Sequence, residues 1–163
     1  MNRTRHLSNA ALVAVCMALT ICSALSPHIP VHAKKPRSLR LTCTGPGFLT
    51  IQLPDGFQRY LKAGTFEADA AGTLVLKGPG YPLSPMATMP VDTVSSSFDG
   101  RLLKFKSVQG ATAVYPLTLA RFPHPEALRQ RHGVFAVTMR SGPPVAGRPG
   151  DPGFGRVTLQ TLD

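Results

Sequence analysis

Residues 91–108 read VDTVSSSFDGRLLKFKSV, two strand-forming runs either side of Asp99-Gly100. An Asp-Gly pair tolerates positive φ and favours a tight reversal between antiparallel strands. Val94 and Phe98 on one arm, and Leu103 and Phe105 on the other, fall on a common inward face, which leaves Lys104 and Lys106 outward. An isolated hairpin is marginal in water, so the flanking sequence decides the fold class.

The same period of two extends in both directions. Upstream, Leu39, Leu41 and Cys43 alternate with Arg40, Thr42 and Thr44, and Leu49, Ile51 and Leu53 alternate with Thr50 and Gln52 before the turn Pro54-Asp55-Gly56. Phe57 to Phe66 is a weaker strand broken near Ala63-Gly64, and Leu74 and Leu76 share a face after Ala70-Ala71-Gly72. Downstream, Gln109-Gly110 reverses the chain into a strand over 111–122, which Pro116 confines to a sheet edge or a bulge. Phe135, Val137 and Met139 mark the next strand, and Val157, Leu159 and Thr161 the last. The segments 78–90 and 141–155 are rich in Gly and Pro and predict loops, the second a mobile one. One short helix is expected near 125–132, with Pro125 at its first position, Arg129, Arg131 and His132 at its negative end and Gly133 as left-handed cap. The fold class is therefore all-β and mostly antiparallel, with ~8 strands forming a small barrel or a sandwich. In strand count and late helix it resembles lipocalin-like barrels.

Composition agrees. Of 163 residues 43% are hydrophobic and 16% charged, which excludes wholesale disorder, while 15 Gly and 16 Pro argue against a helical bundle. The N-terminus has its own character. Arg3, Arg5 and His6 precede the uncharged run AALVAVCMALTICSAL at 10–25, which is shorter than the ~20 apolar residues of a spanning helix. With Val31-His32-Ala33 following, residues 1–33 read as a secretory signal cleaved after Ala33. That leaves a β-rich domain over 34–163, periplasmic or secreted, with a basic arm at 34–37. The alternative is an uncleaved membrane anchor, because Lys34, Lys35, Arg37 and Arg40 resist translocation. Neither Cys16 nor Cys22 follows a small residue, so no acyl anchor is expected. Cleavage leaves Cys43 as a solitary thiol, which is predicted to be buried and inert beside Leu39 and Leu41.

Catalytic signatures are weak. His124 and His132 are eight apart, or ~12 Å along a helix, too far for a shared metal, so no metal and no cofactor is expected. Ser95-Ser96-Ser97 with Asp99 reads as a polar face and a turn. The surplus of basic charge is the strongest remaining signal: +10 for the chain, and +8 once Arg3 and Arg5 leave. It points to an exported, non-catalytic protein at an anionic envelope or extracellular surface, with Lys34, Lys35, Arg37, Arg40, Lys104 and Lys106 as contacts. Its expected partner is an anionic lipid or glycan, or an unidentified protein, and not nucleic acid. Two alternatives are a β-barrel carrier for a small apolar ligand and a hydrolase or transferase using Cys43 or a histidine.

Overall fold

A computed structural model describes residues 38–162, so the signal reading of 1–33 and the arm 34–37 lie outside the described residues. The described chain is all-β, with every strand pair antiparallel and a single turn of 3-10 helix. Its strands are β1 (Ser38–Thr44), β2 (Phe48–Gln52), β3 (Gln58–Leu61), β4 (Ala63–Ala68), β5 (Leu74–Leu76), β6 (Leu83–Ser84) and β7 (Thr93–Phe98). They continue with β8 (Leu102–Ser107), β9 (Thr112–Pro116), β10 (Leu119–Arg121), β11 (Arg129–Arg131), β12 (Val134–Ala136), β13 (Val145–Gly147) and β14 (Arg156–Leu162).

Three sheets result. The first runs β14-β1-β4-β5, the second β11-β12-β3-β2-β10-β13 with β6 also on β2, and the third is the meander β7-β8-β9. None closes on itself, so the arrangement is sandwich-like and the barrel alternative is set aside. The inward residues of all three sheets meet in one core, with Leu39, Leu41, Phe66, Leu49, Ile51 and Phe105 each fully buried. Burying a side chain of this kind stabilises by about 1.5–3 kcal/mol relative to exposure, so alternation alone supplies most of the drive.

The Asp99-Gly100 reversal forms as the sequence predicts. Gly100 has φ +100° and Asp99 Oδ1 accepts the N–H groups of Arg101 and Leu102 at 3.0 and 2.8 Å. Leu103 and Phe105 face the core, with Lys104 and Lys106 on the other side.

Five expectations are corrected. The helix near 125–132 is only a 3-10 turn at Pro125–Ala127, after which Leu128 takes extended angles and Arg129–Arg131 becomes β11. His132 (φ 50°) and Gly133 (φ 78°) both turn left-handed and reverse β11 into β12. The same Pro and Gly suit a hairpin as well as a helix, and Leu128 decides by burying against Phe48, Tyr60, Ala120 and Phe122. The strand over 111–122 is two strands in different sheets, β9 and β10, divided just after Pro116 at the edge of the third sheet. Segment 78–90 carries β6 and buries Leu83, Ala87 and Met89. Segment 141–155 carries β13 and is tied down: Asp151 Oδ2 accepts from Arg148 N at 3.0 Å, and Phe154 is buried over Gly147. The alternation also stops short of Val137 and Met139, which are exposed rather than inward.

Candidate functional site

β2 is buried on both faces, an arrangement that alternation with Thr50 and Gln52 did not reveal. Leu49 and Ile51 face the shared core, while Phe48 faces a second cluster. There Phe48 meets Phe135 and Phe122 edge to face at 5.2 and 5.7 Å, and Tyr60 meets Phe122 at 4.8 Å. Lys62, in the one-residue break between β3 and β4, closes this cluster. Its Nζ lies 3.8 Å from the Phe48 ring centre and donates to the carbonyls of Gly45 and Gly47, each at 2.6 Å. Partial burial lowers its pKa.

Cys43 belongs to the same corner. Its Sγ donates to the Gly47 carbonyl at 3.0 Å, and burial raises the thiol pKa against a smaller opposing pull from Lys62. A buried, protonated thiol is a poor nucleophile, as the sequence led us to expect. What this corner does is hold the 44–47 turn against residues 154–155. Gly47 N donates to Phe154 O at 2.9 Å, and Gly155 packs against Thr44 and Gly45 so tightly that a Cβ would overlap backbone.

The six basic residues singled out from the sequence are not gathered into one site. Lys34, Lys35 and Arg37 lie outside the described residues. Arg40 is exposed in the first sheet, opposite Thr65 and Gln160, whereas Lys104 and Lys106 belong to the third. Lys104 is occupied by Asp99, Nζ to Oδ2 at 2.8 Å, and holds that carboxyl pKa down at about 2. His124 pairs with Glu126 at 3.3 Å on the surface and His132 sits in the β11–β12 reversal. Among the described residues no group of three or more His, Cys, Asp or Glu is placed to hold a metal ion. No helix among them is long and apolar enough to cross a membrane.

A different basic surface exists instead. Arg59, Arg129 and Arg131 line one shallow cavity of about 210 Å³ with Val134 and Ala136. An adjoining cavity of about 580 Å³, lined by Phe57, Gln58, Tyr60 and Val137, shares Arg59 and Ala136 with it. The sequence holds a signal for this surface, since Arg129 and Arg131 are two apart and would share a face on a strand. Reading that stretch as a helix hid it.

With this geometry in view, residues 42–101 match the family described as the flagellar hook protein FlgE/F/G D1 domain. Curated relatives agree over more of the chain. A flagellar basal-body rod protein FlgG of Buchnera aphidicola is 30% identical over 127 residues, covering 76% of this chain and 48% of that protein. The FlgG of Agrobacterium fabrum is 30% identical over 129 residues (77% and 49%), and that of Borreliella burgdorferi 33% identical over 125 (73% and 47%). The chain thus spans about half the length of the curated relatives it matches. Rod and hook proteins are parts of a built structure. This similarity overturns the expectation of a binder at an anionic envelope surface, and with it the apolar-ligand carrier and the Cys43 or histidine transferase or hydrolase.

Proposed function

We propose that the chain is a non-catalytic structural module that packs with other proteins in a flagellar rod-type or hook-type assembly. The observation that carries this reading is the 30–33% identity to rod proteins over roughly three quarters of the chain. The architecture is compatible with it: three antiparallel sheets share one core, and Cys43, the thiol among the described residues, is closed off inside. Glycines at 45, 47, 147 and 155 lock the turns together, which suits a part that must hold its shape under load. Partners are then proteins rather than lipids or glycans.

Export belongs to the same reading, supported by the charged start and short apolar run of residues 1–33. N-terminal sequencing of protein recovered outside the cytoplasm checks it, with Lys34 expected as the first residue.

Assembly is tested by expressing the full chain with a C-terminal epitope in its native cell and purifying basal bodies. Co-purification in a fixed ratio to the rod is expected. A chain recovered wholly as free protein, absent from the particles, overturns the reading.

A further inference from the structure

We propose that the arginine-lined groove beside β11 binds an acidic, extended segment of a partner protein, laid along β11 with its carboxylates on Arg59, Arg129 and Arg131. The proposal rests on the protein-assembly reading above and adds the chemistry of the partner.

β11 is the outer strand of the second sheet, paired with β12 on one side and with no other strand among the described residues. All three of its residues are exposed. Such an edge offers unpaired N–H and C=O groups, and an extended peptide that joins it gains main-chain hydrogen bonds. Side chains supply the selectivity. Arg129 and Arg131 project to one face and Gln130 to the other. Opposite Arg131 stands Val134, which in turn lies opposite Leu61, so the arginine face continues the inner face of the sheet beyond the covered core.

None of the three arginines has an acidic side chain within ion-pair distance among the described residues, and Arg59 donates to the Gln58 carbonyl at 2.9 Å. A guanidinium presents paired donors that match a carboxylate, so three around one groove select an acidic ligand over a neutral one. The adjoining cavity, with Phe57 and Val137 exposed, lies inboard of β12 and is lined by no β11 residue, so the arginines rather than an apolar seat define the edge. An acidic extended strand therefore fits the β11 edge. A second copy of this chain does not: its own edge is equally basic, and like charges facing across a strand pair repel.

The probe is a fluorescein-labelled oligoglutamate peptide, titrated into the full chain and followed by anisotropy. Binding is expected, and none by the same peptide with lysine in place of glutamate. The double variant R129Q/R131Q should weaken binding roughly tenfold or more, the loss of one or two charge-assisted hydrogen bonds. K104Q/K106Q removes the same charge from the third sheet and should change affinity by less than about twofold. Amides of 129–131 should gain protection from hydrogen exchange in the complex.

Absence of binding, equal losses in the two double variants, or unprotected β11 amides overturns the proposal. So does displacement of the peptide by phosphatidylserine vesicles at matched charge, which assigns the surface to general electrostatics. The two readings fail separately. Wild-type chain in basal bodies without peptide binding sinks the groove alone, and peptide binding without incorporation sinks the assembly.

Discussion

At Cys43 burial and a carbonyl acceptor act on the same thiol. Burial keeps it protonated, and the Sγ donor at 3.0 Å from Gly47 O gives it a place to point. A thiol reagent should therefore label native protein far more slowly than unfolded chain, and labelling at the unfolded rate would show the corner to be open. The acceptor also moderates Cys43→Ser, since a buried hydroxyl there inherits the Gly47 carbonyl and should cost about 1 kcal/mol rather than the ~3 of an unpartnered one. Because the folded thiol pKa is raised above 9.0, its contribution is complete below that value and is lost as pH rises through the folded pKa. Cys43→Ala should flatten the alkaline limb of stability against pH, measured by urea midpoints. Alternation showed that Cys43 is inward. It gave no sign of Lys62, whose partners lie 15 and 17 residues away in sequence.

Elements were legible where a local signal admitted one outcome. Asp99-Gly100 is such a signal, and the side chain of Asp99 reinforces it through Lys104 first and then the backbone N–H groups of Leu102 and Arg101. These hold its pKa at about 2 against an ordinary 3.8. The sign follows: a depressed carboxyl stabilises the hairpin above pH 3.8, and that contribution is lost as pH falls through about 2. Carboxyl chemical shifts should place the Asp99 midpoint near 2, and K104Q should move it upward; a midpoint at the ordinary value would separate the pair. Pro125 and Gly133 were the opposite case, since both serve a helix or a turn–hairpin equally. The outcome rests on Leu128 reaching a cluster whose members span residues 48 to 135. Segment 141–155 is a parallel case, since its Gly and Pro predict a loop and nothing more. Composition records its glycines but not that the Phe154 ring occupies the space where a Gly147 Cβ would stand. Gly147→Ala should therefore lower stability by about 1–3 kcal/mol through overpacking, whereas the same change at an open strand glycine would be neutral or stabilising, as denaturation midpoints would show.

Over the whole molecule the sequence conveyed class and missed function. Charge of +10 gives a real field, yet its sum does not say that Arg59, Arg129 and Arg131 share a groove while Lys104 is neutralised by Asp99. Similarity to rod proteins, not charge, points to assembly with other proteins. Packing makes a further claim at this scale. The core takes Leu41 from the first sheet, Ile51 from the second and Phe105 from the third, and Phe105 also tilts against Tyr115 at 6.0 Å. If one core serves all three sheets, they unfold together. Phe105→Ala should cost about 3–5 kcal/mol and Leu41→Ala about 2–5, large shares of the 5–15 that a domain possesses. Both variants should lower one common transition, seen alike by far-ultraviolet circular dichroism and by exchange of amides in β1, β3 and β8. If Phe105→Ala instead freed β7–β9 while β1 and β4 stayed protected, the third sheet would be an appended hairpin layer with its own stability.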